Sequence, residues 1–217
     1  MLGVYVSVPI ACFRKGLARE YLETEPIPPP ATCYGFLLSL VGERDRRRHL
    51  GVRVSPVLLS RPEQSVVLRT VWRVKKTPLG SPGNTRPDFQ QLLSGTELLV
   101  WLDSSEETST DLPSLEQRVS AALAHPASID RFGGLSLGES THLVNDVVAW
   151  DRARSRLQDD TGQAYLLAER GRLTLPVWVD HVGSAGTRYS TGDLVPWSIN
   201  ETPQPSQLPR IHDETPT

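Results

Sequence analysis

Hydrophobic and polar positions alternate from the start of the chain. Val4, Val6 and Val8 fall on one side and Tyr5 and Ser7 on the other, which predicts a strand over residues 2–9. A polar stretch with Arg14, Lys15 and Arg19 follows. Glu25-Pro26-Ile27-Pro28-Pro29-Pro30 is a stiff extended entry, because proline fixes its own φ and keeps the residue before it out of the helical region. The period then changes. Tyr34, Leu37, Leu38 and Val41 are spaced i, i+3, i+4 and i+7, predicting a short helix with Thr32 as N-cap and Gly42 as its stop. Residues 50–60 and 65–75 read as strands joined by a turn at Arg61-Pro62-Glu63. In the second of them Val67, Arg69, Val71, Arg73 and Lys75 share one face, and Val66, Leu68, Thr70, Trp72 and Val74 the other. A Pro/Gly/Asn-rich loop over 76–87 ends this strand, and residues 96–102 form another. Leu115, Val119, Ala122 and Leu123 mark a second helix that Ser114 and Gln117 open as a capping box. Strands are expected within 141–149, 163–169 and 173–182, the last two with a turn at Arg170-Gly171-Arg172.

The order strand, helix, strand, strand, helix, strand is the split βαβ pattern. It predicts an α+β, ferredoxin-like (RRM-like) domain, with extra strands inserted before the second helix and a C-terminal β extension. That fold hosts many functions and names none.

Charge changes the picture more than composition does. The net charge is −2, yet residues 1–100 carry 14 Lys/Arg and 8 Asp/Glu, while residues 101–217 carry 9 and 17. A basic half and an acidic half suit a protein that meets a polyanion on one side and other proteins on the other. The two cysteines, Cys12 and Cys33, form no CxxC pair, so neither a zinc site nor a redox motif is indicated, and a cytoplasmic chain with free thiols is expected. The apolar N-terminus lacks the basic region of a signal peptide, and no apolar run approaches membrane-spanning length.

Gly133-Gly134-Leu135-Ser136-Leu137-Gly138-Glu139-Ser140 matches a phosphate-binding loop except that Glu139 stands where the lysine belongs, and a carboxylate there repels phosphates. The segment reads instead as a tight turn, structural or in contact with a phosphodiester backbone. Arg44, Arg46, Arg47 and Arg48 follow the first helix, and Arg69, Arg73, Lys75, Lys76 and Arg86 run along one strand and its loop. These are either solvated charges or, being mostly arginine, phosphate contacts. No RNP1 sequence is present, so base stacking on the sheet face is not expected. His49, His125, His142, His181 and His212 are scattered without metal-ligand spacing, Asp180-His181 reads as a structural pair at a strand end, and Ser136 and Ser140 lack a GxSxG elbow.

Three segments carry a resemblance. Glu25 to Gly42, with its proline entry and Tyr34-Gly35-Phe36-Leu37-Leu38, resembles the proline-to-helix signature of the CRISPR-associated "Cas five" subunit of the RAMP superfamily. Phe132 to Val147 resembles its glycine-rich element, and Leu175 to Tyr189 is similar to the C-terminal part of the DevS branch of type I-B-like systems. The resemblance implies a ferredoxin-like domain over 1–150 with an inserted hairpin thumb at 66–88 and a β extension over 151–199, while the polar, Pro-rich composition of 200–217 predicts a flexible tail that is disordered or draped. The resemblance also implies a non-catalytic Cascade subunit that caps the 5′ handle of crRNA. Its neighbours would be the backbone subunit (Cas seven) and the large subunit (Cas eight), with target DNA near the PAM touched only indirectly, no cofactor, no metal and no membrane. Candidate RNA contacts are Arg14, Lys15, Arg19, Arg46, Arg47, Arg69, Arg73, Lys75, Lys76, Arg86, Gly133, Gly134, Gly138, Ser140 and Arg188. The alternative is a metal-independent endoribonuclease acting on precursor crRNA, with His49 beside Arg46, Arg47 and Arg48, or Tyr21 near Arg19, supplying the base and cation.

Overall fold

A computed structural model describes residues 1–213 except Leu17, Arg19, 73–77, Leu79, Thr110, Phe132, Gln158, Asp159 and Gly183. Among them the strands form one largely antiparallel nine-stranded sheet, and the chain is a mixed α/β protein with few helices. In chain order the elements are β1 (Leu2–Ala11), β2 (Tyr21–Leu22), α1 (Pro30–Leu40), β3 (Arg53–Leu58), β4 (Glu63–Trp72), β5 (Thr85–Asp103), α2 (Leu115–Ala124), β6 (Asp146–Ala149), α3 (Trp150–Ala153), β7 (Thr161–Leu167), β8 (Leu173–Trp178) and β9 (Arg188–Ser198). The strand order is β6-β1-β5-β3-β7-β9-β8, with β2 and β4 pairing to β5 off this path.

The alternation that predicted β1 sorts the core into two layers. Val4, Val6 and Val8 join Leu98, Val100 and Leu102 of β5 beneath α1 and α2, on one face of the sheet. The intervening residues Leu99 and Trp101 pack on the opposite face with Trp150, Ala153, Ala164 and Leu208. Each fully buried Val or Leu contributes roughly 1.5–3 kcal/mol, so the central pair β1–β5, apolar on both faces, anchors the fold.

α1 begins at Pro30 with Pro29 as N-cap, not at Thr32. Proline at the first helical position has its φ already set, and its missing N–H is one that the first turn leaves unpaired anyway. Tyr34, Leu37 and Leu38 are buried, and so are Cys33, Phe36 and Leu40, which makes the apolar surface wider than one stripe. Gly42 follows the last turn, where Glu43 N donates to the Leu38 carbonyl. The Ser114–Gln117 capping box opens α2 as expected.

Long-range pairing departs from the expected arrangement in three places. β3 and β4 follow one another through a short turn but do not pair. β3 takes residues 98–103 of β5, and β4 takes residues 85–94. β5 is therefore 19 residues long, not the seven expected, and spans both the sheet and a two-stranded arm whose loop lies within the expected thumb. Gly95, at φ +73°, marks the passage between the two, a conformation open to glycine. β7 and β8 do not pair either, because β9 lies between them. Of the two forms expected for the tail, the described part is draped and packed. Leu208 and Ile211 are fully buried, Ile211 N donates to the Val52 carbonyl and Val54 N to that of Pro209. The apolar residues in this proline-rich stretch find a backbone edge beside β3, and that outweighs its polar composition.

Candidate nucleic-acid interface

Most of α1 is committed to the core. One line is not: Ala31, Thr32, Gly35 and Ser39, at helical spacing, face a cavity of about 330 Å³. The facing wall is Val177, Trp178, Val179 and His181 at the end of β8, and the rim includes Ser136 and Gly138 of the glycine-rich turn. A second cavity of about 630 Å³ opens beside it, lined by Arg44, Arg46, Arg47, Asp180, His181 and Asp213 among others, and shares Arg46, Trp178 and Val179 with the first. The two make one groove.

Arg46 joins its walls. Its Nη2 donates to the Val179 carbonyl at 2.7 Å, and its guanidinium lies 4.0 Å from the centre of the Trp178 ring. The loop that carries it is held locally. Glu43 accepts from Arg44 N and Asp45 N, Asp45 accepts from Arg47 N, and the Tyr34 hydroxyl donates to the Arg46 carbonyl at 2.7 Å. Burial pushes the Tyr34 phenol up, so it stays a donor. Burial also lowers the Arg46 guanidinium from its ordinary value, against the opposing fields of Tyr34, Asp180 and Asp213. On the other wall the Asp180 carboxylate accepts from Val182 N and Gly186 N and shapes the loop before β9.

The glycine-rich turn is fixed at its base by Leu137, which is 1% exposed, and by a bridge between Ser136 and Leu143. Gly138 has φ +96°, and a Cβ there would sit 2.7 Å from the Cys12 carbonyl oxygen, so backbone passes where a side chain cannot. Glu139, in the slot of a phosphate-loop lysine, accepts from Gln90 Nε2 at 2.9 Å and lies 3.7 Å from an Arg69 guanidinium nitrogen. It ties the turn to the β4–β5 arm. The His142 Nδ1 accepts from Cys12 N at 3.2 Å, and burial lowers the imidazole pKa from its ordinary 6.5.

The candidate contacts do not form one surface. Arg46, Arg47 and Gly138 line the groove. Gly133, Gly134 and Ser140 belong to the same turn and are exposed, outside both cavities. Arg14 Nη2 donates to the Ala18 carbonyl, Lys15 pairs with Glu23, and Arg188 donates to the Ala185 and Thr187 carbonyls. Arg69 and Arg86 are not the bare cations their alternation suggested, since Arg86 pairs with Asp88 at 2.8 Å and with Glu20 at 3.1 Å. Arg19, Arg73, Lys75 and Lys76 lie outside the described residues. The other face of the arm is apolar: Val66, Leu68, Trp72 and Phe89 are exposed there, with Tyr21 beside Phe89. His49 is fully buried. Its Nδ1 contacts Glu107 and its Nε2 lies 2.6 Å from Arg118, which also bonds Glu43. Among the described residues no group of three or more His, Cys, Asp or Glu is placed to hold a metal ion, and no helix is long and apolar enough to cross a membrane.

Sequence reasoning missed Trp178, His181 and the small face of α1. The one signal available was Ala31, Thr32, Gly35 and Ser39 recurring on one side of an otherwise apolar helix.

No family model matches the chain. It is 52% identical over 213 residues to a CRISPR-associated protein Cas5 of Myxococcus xanthus (strain DK1622), covering 97% of each chain. A chain of a CRISPR RNA-guided surveillance complex superposes with a TM-score of 0.61 at 16% identity, over 90% of each chain. A Cas protein crystal structure superposes with a TM-score of 0.50 at 14% identity, over 91% of this chain and 94% of that one. Three stretches of sequence far apart in the chain thus meet at one groove, on a fold shared with a surveillance-complex chain, and with half its residues identical to Cas5 over nearly its whole length the chain belongs to the Cas5 family of CRISPR-associated proteins.

Proposed function

We propose that this chain is a non-catalytic subunit of a type I CRISPR effector that binds and caps the 5′ handle of crRNA. Its partners are the backbone subunit (Cas seven) and the large subunit (Cas eight), and it acts in the cytoplasm without a cofactor. The observation that carries this reading is the groove, where the proline-to-helix segment, the glycine-rich turn and the end of β8 meet around the Arg46–Trp178 stack. A single strand suits it. The Trp178 indole with Arg46 over it offers a stacking surface, the small face of α1 leaves room, and Arg44 and Arg47 line the second cavity.

In this reading β6-β1-β5-β3, with α1 and α2 on one face, is a ferredoxin-like core. The β4–β5 arm is the thumb. Its apolar outer face suits a protein neighbour, and its described arginines carry acidic partners. The burial of His49 between Glu107 and Arg118 weighs against its use as a base in the endoribonuclease alternative.

Reconstitution with crRNA and the backbone and large subunits tests the proposal. Arg46→Ala is expected to lose crRNA-dependent assembly while its thermal midpoint moves little, with Trp178 left in place because it is buried in the core. Unchanged assembly would sink the groove as the RNA site. A single metal-independent cut in labelled repeat RNA would overturn the non-catalytic assignment.

A further inference from the structure

Three carboxylates line the second cavity of the groove, and they are used differently. Asp45 and Asp180 accept from backbone N–H groups of their own loops. Asp213 reaches across to a guanidinium: its Oδ2 lies 2.9 Å from Arg47 Nε. Asp213 is also the better covered partner, 21% exposed against 72% for Arg47, so the carboxylate is seated in the groove wall while the arginine comes to it from solvent.

The chain holds Asp213 in place by a short tether. Two residues earlier, Ile211 is fully buried and bonded on both sides, its N–H to the Val52 carbonyl and its carbonyl from Gly51 N. A group tethered so closely is present at high effective concentration. Arginine binds carboxylate and phosphate through the same planar N–H donors, so one replaces the other without rearranging the guanidinium. The sequence continues with Glu214, a second negative charge.

We infer that the Asp213 carboxylate is a built-in competitor for the anionic ligand of this groove, occupying Arg47 in the free chain and giving it up when a nucleic-acid phosphate enters. The inference rests on the groove being the RNA site. The gate is weak by design of its setting, since an exposed ion pair corresponds to a change of roughly two- to five-fold in an equilibrium constant. It lowers the affinity only of ligands that bring an anion to Arg47, because a ligand that leaves the Asp213–Arg47 pair in place has no pair to break.

The test is binding of a short fluorescently labelled single-stranded RNA to the full chain, read by anisotropy across a NaCl series. Asp213→Asn, and separately deletion of residues 213–217 with Leu208 and Ile211 retained, are expected to bind roughly two- to five-fold tighter than wild type at low salt. The gain should shrink at high salt. Glu63→Gln removes one negative charge outside both cavities and controls for net charge. Arg47→Ala should weaken binding, and Arg47→Ala/Asp213→Asn should bind no tighter than Arg47→Ala. Weaker binding on Arg47→Ala with no gain from Asp213→Asn overturns the competitor and leaves the groove intact. A loss on Asp213→Asn makes Asp213 a positioning partner of Arg47 and also overturns it. No effect of either residue overturns the groove reading and the competitor together.

Discussion

Gly35 separates stability from function at one position. It lies within α1, exposed, lining the first cavity, and a Cβ built there meets nothing within 4 Å. Glycine in a helix interior costs about 0.8–1.0 kcal/mol relative to alanine, because the unfolded chain has more conformations to lose. No packing reason keeps it. Gly35→Ala should therefore raise stability by about that amount, which for a chain of this size is about 2 °C in the thermal midpoint. Gly35→Leu should also be at least as stable as wild type, since leucine is a strong helix former. Its side chain, however, projects into a cavity of about 330 Å³ and fills the space between α1 and Trp178. The expectation is two proteins that melt no lower than wild type, of which the leucine variant loses RNA binding and the alanine variant keeps most of it. Differential scanning calorimetry and RNA anisotropy on the same samples give both quantities. A leucine variant that binds RNA like wild type would refute the reasoning. So would an alanine variant that melts lower, because the empty space at Gly35 would then be doing something for the fold.

Other perturbations act on the turn and its neighbours. Gly138→Ala has the opposite sign: a left-handed conformation costs a non-glycine residue roughly 1–2 kcal/mol, and the new Cβ would stand 2.7 Å from the Cys12 carbonyl oxygen. A thermal midpoint lower by several degrees is expected from calorimetry, and an unchanged one would contradict the close approach. Glu139→Ala removes the acceptor of Gln90 and the partner of Arg69, so amide exchange in β4 and the facing part of β5 should speed up while the global midpoint moves little. Equal exchange in both proteins would show that the turn does not hold the arm. Burial depresses the His142 pKa below the ordinary 6.5, so the unfolded chain binds the proton more readily than the folded one. Its contribution is then fully present above pH 6.5 and lost as pH falls below that value toward the folded pKa. His142→Asn keeps an acceptor for Cys12 N and should flatten the stability profile in that window, as urea melts at successive pH values would report.

What the sequence disclosed and what it hid divide by range along the chain. The strand at Val4, Val6 and Val8, the Ser114–Gln117 box and the stop at Gly42 rest on residues within a turn or two of each other, and all are found. Thr32 failed as N-cap for a local reason too: Pro30 suits the first helical position better than it suits the extended segment before it. The remaining departures are non-local. Nothing near β7 or β8 announces that β9 will enter between them, and nothing near Arg69 announces a carboxylate at Glu139. Period-two alternation put Arg69 on a face correctly and was silent about what that face meets.

The groove illustrates the same division from the other side. Each of its walls was visible as an element, because proline before a helix, glycines in a turn and a strand bounded by turn residues are local signals, although Trp178 itself was not singled out. Their meeting is a property of the pairing. β8 reaches α1 only because β9 and β7 carry the C-terminal strands onto the far edge of β3, the same sheet whose other strands position α1. Arg46 is the residue where the two kinds of information join. Its loop is set by Glu43 and Asp45, neighbours in sequence, yet its guanidinium is oriented by the Val179 carbonyl and the Trp178 ring, more than a hundred residues away. A basic residue chosen from sequence alone is one cation among many. One held over an indole and lining both cavities has a fixed geometry to offer a ligand, and that fixed geometry is the reason to rank Arg46 above Arg69 and Arg86, whose guanidinium groups already face carboxylates.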